Sequence, residues 1–270
     1  MHLLLPEGGH RPRHLPGEQA VTSEQEFTRD GLFRGELQFL QPRQGYRFSV
    51  DAPLLASFVK LKRGDRVIDL GTGCGVILVI LARRFPKVRE LVGVEVQEGL
   101  AELARRNAEL NGVGNLIRIV RGDIRECRKN FAPETFDVVV SNPPYYPSEG
   151  GRVNPGDEVA IARHEVMATM ADFAEATRYL LKGGGRCYFV YPARRAVNIL
   201  TEMRQRRLEP KRLRWVHPRP GEEARMVLVE GVKGAGEGVA VEPPLFIHDS
   251  QGNYTPEMER VLFRLEVEDG

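Results

Sequence analysis

The stretch "RVIDLGTGCG", Arg66–Gly75, decides the fold. A β-branched run carrying an acid, Asp69, passes into a loop with Gly71, Gly73 and Gly75, and the apolar "VILVILARRF" follows. A strand, a glycine loop and a helix in that order let the backbone turn tightly and approach a ligand, where a Cβ would clash and positive φ is costly for other residues. This marks a nucleotide-type pocket. The plain alternative is a strand-to-helix turn that merely needs small residues. A dinucleotide fingerprint beginning at Gly71 wants Gly or Ala where Val76 stands, and a phosphate loop wants Lys followed by Ser or Thr, which this loop lacks.

Working outward, short β-branched runs alternate with amphipathic stretches. Strands are expected at Arg66–Leu70, Glu90–Val96, Ile117–Arg121, Phe136–Ser141 and Arg186–Tyr191, and helices in "EGLAELARRNAELNG", closed by Gly112, and "HEVMATMADFAEATRYLLKGGG". After "ARRAVNILTEMRQRRL", the runs "RLRWVH" and "ARMVLVEGV" flank "PRPGEE", which suits a hairpin loop. The expectation is an α/β fold, a mostly parallel sheet ending in an antiparallel pair with helices on both faces. Residues 1–33 lack periodicity and read as a flexible tail, 34–232 as the ligand-binding domain, and 233–270, opening with "KGAGEG", as a linker and C-terminal extension.

The 270 residues, 41% hydrophobic and 28% charged, allow a substantial core, and a net charge of +2 is too mild to announce a nucleic-acid binder. Cys74, Cys127 and Cys187 lie far apart without a C-x-x-C pair, so reduced thiols, no metal and a cytoplasmic location are expected. No apolar run approaches the roughly 20 residues of a membrane helix, and no membrane is expected.

Two further acids follow Asp69: Glu95 at the end of "LVGVEV" and Asp123 after "IRIVRGD". Each alone suits a turn or a helix cap. Together they fall at the carboxyl ends of successive strands, which in an open α/β sheet form one ligand crevice. Glu95, about twenty residues past the loop, is placed to accept hydrogen bonds from ribose hydroxyls. The fourth strand ends in "SNPPYYPS", 141–148.

The G-x-G-x-G loop preceded by Asp69 resembles the first motif of S-adenosylmethionine-dependent methyltransferases, and Asn142-Pro143-Pro144-Tyr145 resembles the D/N-P-P-Y/F motif of those that modify nitrogens conjugated to a planar system. The segment "LQFLQPRQGYRFSVDAPLLASFV", 37–59, with "RHE" at 163–165 and "GNYTPEM" at 252–258, resembles the bacterial tRNA adenine-N6 methyltransferases that act on valine tRNA. The resemblance runs from about residue 34 to 258. It implies a Rossmann-like class I methyltransferase fold with a seven-stranded sheet and S-adenosylmethionine as cofactor. RNA, in particular tRNA, is the implied partner.

The implied cofactor-binding residues are Tyr46, Arg47, Phe48, Asp69, Gly71, Gly73, Gly75, Glu95, Val96, Asp123, Ile124 and Asn142, with Asp69 near the amino acid moiety and Asp123 near the adenine amino group. The implied catalytic residues are Asn142, Pro143, Pro144 and Tyr145. An exocyclic amino group delocalises its lone pair into the ring. The Asn142 side-chain oxygen and the Pro143 carbonyl could draw its hydrogens out of plane, while Tyr145 stacks on the substrate. The tetrapeptide is shared with guanine-N2 enzymes of ribosomal RNA and with glutamine-amide enzymes acting on release factors. A binding protein without turnover would be expected to have lost Asn142 or Tyr145. The loop 146–165 sits where a substrate lid would lie, and Arg163 and His164 suit RNA contact or capping equally. The basic groups "RRF", "ARRN", "PARR" and "RQRRLEPKRLRW" suit phosphates or solvated helix faces.

Overall fold

The computed structural model describes residues 27–43, 47–144 and 168–268. The expectations placed on Tyr46, Tyr145 and 146–165 lie outside them. In chain order the elements are β1 (Phe27–Leu32), β2 (Leu37–Pro42), α1 (Asp51–Phe58), β3 (Arg66–Leu70), α2 (Val76–Arg84), β4 (Glu90–Glu95), α3 (Glu98–Leu110), β5 (Ile117–Arg121), α4 (Cys127–Asn130) and β6 (Phe136–Ser141). There follow α5 (Met170–Leu180), β7 (Leu181–Pro192), α6 (Ala196–Gln205), β8 (Leu208–His217), β9 (Met226–Lys233), β10 (Ala240–Val241), β11 (Leu245–Phe246) and α7 (Pro256–Phe263).

Alternate residues of each central strand serve two cores. Val67 of β3 and Val138 and Val140 of β6 join one cluster with residues of α1, α2 and α3; Ile68, Leu70 and Val139 join another with residues of α5 and α6. Burial on both faces is why these strands read as continuous apolar runs rather than alternating ones. The sheet order is β10-β8-β9-β7-β6-β3-β4-β5, with β11 also on β8. β3 to β7 pair in parallel, and β9 runs antiparallel between β7 and β8. Seven of the nine strands carry the expected topology. The other two are two-residue pieces of the C-terminal extension that pair with β8 in parallel.

Helix α3 shows why these segments fold as they do. Leu100, Ala101, Leu103, Ala104, Asn107 and Ala108 are spaced to share one buried face. Its end is a Schellman cap: the N–H of Gly112 donates to the Glu109 carbonyl at 3.0 Å and that of Val113 to Ala108 at 2.9 Å. Among the described residues the next long helix begins at Met170, where Thr169 and Asp172 form a reciprocal capping box.

The structure differs from the sequence reading at both ends. The tail read over 1–33 gives way at Phe27, because β1 pairs antiparallel with β2 from Phe27↔Pro42 to Leu32↔Leu37, and Phe33, Leu37 and Phe39 enter the core. The extension read over 233–270 is packed rather than loosely tethered: Lys233 still belongs to β9, Leu245 and Met258 are buried, and Phe246 sits on the end of β8.

Candidate active site

Gly71, Gly73 and Gly75 hold φ of 75°, 56° and 82°, the left-handed region that other residues enter only with strain. The N–H groups of Gly71 and Thr72 donate to the Val94 carbonyl at 2.9 and 3.0 Å, lacing the loop to the end of β4. A Cβ on Gly75 would stand 3.1 Å from Ala104 Cβ, so the start of α2 packs directly on α3. Gly93, which the motif reading did not single out, serves the same loop from the strand side. A Cβ there would lie 2.8 Å from Thr72 Cγ2 and Ile119 Cδ1.

Glu95 is buried, and both its oxygens accept backbone donors: Oε2 from Gly73 and Oε1 from Gln97, each at 2.9 Å. Burial raises its pKa, and those two donors oppose the rise. Asp69 has no exposed surface. Its Oδ2 accepts from the Thr72 hydroxyl at 2.7 Å, while Oδ1 has no partner. Burial, opposed by the Thr72 hydrogen bond and reinforced by the Glu95 charge, pushes the carboxyl up to about 7. Asp123 takes the capping role: it accepts from the Arg125 N–H at 2.9 Å and pairs with the Arg125 guanidinium, which holds its carboxyl below the ordinary range. The Gly122 N–H donates to the Glu95 carbonyl at 2.9 Å, keeping the ends of β4 and β5 together. Val96 leaves 56% of its surface open at this rim, whereas Ile124 is buried in the second core.

Asn142 enters the same rim from β6. The Ser141 hydroxyl donates to the Leu70 carbonyl at 2.7 Å, pinning the end of β6 beside the glycine loop. Asn142 Oδ1 is buried and unpartnered, Pro143 is buried and Pro144 exposed. Four buried side-chain polar atoms lack a partner among the described residues, and two of them, Asp69 Oδ1 and Asn142 Oδ1, belong to adjacent strands at this one edge. An unmade hydrogen bond in a buried site is costly, so such atoms point to a ligand that supplies donors. The ammonium of S-adenosylmethionine fits Asp69 Oδ1, and its ribose hydroxyls fit the Glu95 carboxylate at the next strand end.

Arg47 and Phe48 are held by the N-terminal hairpin. The Arg47 guanidinium donates to Asp30 Oδ2 at 2.8 Å, Thr28 Oγ1 at 2.7 Å and the Pro42 carbonyl at 3.2 Å. Buried Gln41 donates to Asp30 at 2.8 Å and accepts the Phe48 N–H at 2.8 Å. The Phe48 ring meets Phe39 edge-on, with centroids 5.5 Å apart. Asp30 carried no motif that would have revealed it. Asn107 joins this hairpin to the loop: its amide donates to the carbonyls of Leu40 (3.0 Å) and Cys74 (2.9 Å) and accepts the Leu40 N–H at 2.7 Å. One turn on, Asn111 brackets Gln38 in the same way, at 2.7 and 2.9 Å.

The basic run at 204–215 is mostly committed within the molecule. Arg204 pairs with Glu237 (2.6 Å), Arg212 with Glu230 (2.6 Å) and Glu242 (3.0 Å), and Arg214 with Glu257 (2.8 Å). Three of those acids lie in the C-terminal extension, so the run fastens that extension to β8 rather than offering a free strip for phosphates. No described helix is long and apolar enough to cross a membrane.

Strand order, glycine loop and acid-tipped strand ends define a class I S-adenosylmethionine-dependent methyltransferase, and residues 47–205 match the family described as methyltransferase small domain. A structure described as a predicted O-methyltransferase from Agrobacterium tumefaciens is similar, with a TM-score of 0.66 and 25% identity over 81% of this chain and 98% of that one. The chain belongs to the family of bacterial tRNA1(Val) (adenine(37)-N6)-methyltransferases. It is 32% identical to the Porphyromonas gingivalis member over 72% of this chain and 76% of the relative, and 28% identical to the Yersinia pseudotuberculosis member over 91% and 95%.

Proposed function

We propose that this chain transfers a methyl group from S-adenosylmethionine to the exocyclic N6 of an adenine in tRNA, with position 37 of a valine tRNA, for which the relatives are named, as the target. The observation that carries the reading is the unpartnered Asn142 Oδ1, buried beside the glycine loop. When bound, the cofactor supplies a methyl group on a positively charged sulfur, and the acids of β3, β4 and β5 are the groups proposed to hold it. Asp69 Oδ1 takes the ammonium, Glu95 the ribose hydroxyls and Asp123 the adenine amino group. Val96, exposed at the rim, offers an apolar face to the adenine ring.

Asn142 Oδ1 and the Pro143 carbonyl then accept the two hydrogens of the target amino group. Held so, the nitrogen keeps its lone pair out of the ring and directs it toward the methyl carbon. The prolines fix the direction of that carbonyl, and Tyr145 stacks on the base. A base of unusual pKa is unnecessary, because the nitrogen sheds its surplus proton once the new N–C bond has formed. The adenine must leave its stack to present this edge. The test is to incubate labelled donor with an unmodified valine tRNA transcript and digest it to nucleosides. Label in N6-methyladenosine is the expected outcome, and label confined to any other nucleoside, or to protein, refutes it.

A further inference from the structure

The motif "GNYTPEM" plays no part in the donor pocket, yet the fold carries it to the same edge of the sheet. β8 runs parallel to β6, so His217 at its end faces the same way as Asn142. Three strand steps, about 14 Å, separate the two across the sheet, and by register His217 stands three residues, about 10 Å, beyond the level of Asn142. Backbone bonds continue that rim: Ala193 N–H to the Arg225 carbonyl, Arg225 N–H to Val216, Ile247 N–H to His217 and His248 N–H to Pro218, each at 2.9 Å.

Here the chain builds and secures a stack of flat rings. The Asp249 carboxylate accepts the N–H groups of Gln251 and Asn253 at 2.8 and 3.0 Å, folding a turn that lays Tyr254 over His248 with centroids 4.9 Å apart and planes 18° from parallel. The Thr255 hydroxyl donates to the Phe246 carbonyl at 2.7 Å, and Phe263 backs Tyr254 edge-on. Tyr254 nevertheless leaves 41% of its surface exposed. On the same rim Arg194 and Arg225 are exposed and form no ion pair among the described residues, while Arg219 reaches Glu222 at 3.4 Å. A rigid ring pair with a polar tip, flanked by uncommitted guanidinium groups, matches what binds single-stranded nucleic acid: stacking for a base and charge for its phosphates.

We propose that the His248–Tyr254 stack receives an unpaired base of the substrate RNA beside the methylated adenine, with Arg194 and Arg225 on the neighbouring phosphates. The proposal rests on the reading of the substrate as RNA. The test measures the affinity of an unmodified valine tRNA transcript for the wild type, Tyr254→Ala and Tyr254→Phe, with S-adenosylhomocysteine affinity and melting temperature as controls for the fold. Tyr254→Ala should raise the tRNA Kd roughly 5- to 150-fold and Tyr254→Phe should recover most of it. A Tyr254→Ala protein that binds the transcript within twofold of wild type overturns the proposal. Should that variant lose its fold, ultraviolet crosslinking of the wild type to the transcript decides: crosslinks in the peptide holding 248–254 support it, and crosslinks found only elsewhere overturn it. Failure of the substrate reading looks different, as a wild type that neither binds nor methylates the transcript.

Discussion

The two halves of the sheet's carboxyl edge are built on opposite plans. At the ends of β3 and β4 the polar groups are buried and tied to backbone: Glu95 to Gly73 and Gln97, the glycine loop to Val94, Asn107 to Cys74. Beyond the ends of β7 and β8, Arg194, Arg225 and Tyr254 stand exposed on a frame of backbone hydrogen bonds. A small ligand of fixed shape rewards pre-positioned donors and acceptors in a dry site. A large charged substrate is gripped over an area by stacking and screened charge. Asn142, at the end of β6, is the seam between the two.

Breaking the seam should have the largest effect. Asn142→Ala is expected to lower kcat for tRNA methylation by about 10²–10³-fold, while calorimetric affinity for S-adenosylhomocysteine stays within a few-fold. Next comes the scaffold of the buried half. Asn107→Ala leaves Leu40 N–H and the carbonyls of Leu40 and Cys74 without their partner, and should cost about 2–3 kcal/mol in urea unfolding. Glu95→Ala removes the acceptor for Gly73 N–H and the proposed acceptor for the ribose, and should weaken S-adenosylhomocysteine roughly 10- to 100-fold without a matching loss in tRNA affinity.

The smallest expected effect is a pH dependence confined to the donor half. With Asp69 at about 7 in the fold against its ordinary 3.8, the folded chain holds a proton across that window that the unfolded chain has lost. This contribution therefore lowers stability as pH rises through the window and levels off above about 7. An ammonium ligand favours the ionised carboxylate, so S-adenosylhomocysteine affinity should rise between pH 6 and 8. Asp69→Asn should weaken binding and flatten that rise, with tRNA affinity as the internal control.

The donor half was the more legible in sequence for a physical reason. Its contacts are local, a loop between consecutive elements and acids at strand ends that parallel topology gathers at one edge, so spacing alone carries the geometry. What escaped was non-local or short. The hairpin of β1 and β2 is polar on one side, and Asn107 and Asn111 lie 67 and 73 residues from the strand they clamp. β10 and β11 have two residues each, too few for any period to show. The arginines of 204–215 suit phosphates or solvated helix faces in sequence, because their partners Glu237, Glu242 and Glu257 follow in a segment that looks like a loose extension. Asp123 has a cap's geometry, as its residue type allowed, and Arg47 is drawn to Asp30 by a network that no linear pattern displays.

A crystal structure with S-adenosylhomocysteine bound is the most direct measurement. The expected result is a ligand whose ribose hydroxyls meet Glu95, whose ammonium meets Asp69 Oδ1, and whose sulfur faces Asn142 Oδ1 across the glycine loop. A ligand seated away from that loop, or an Asn142 side chain turned from the sulfur, would contradict the assignment of this edge as the site of methyl transfer.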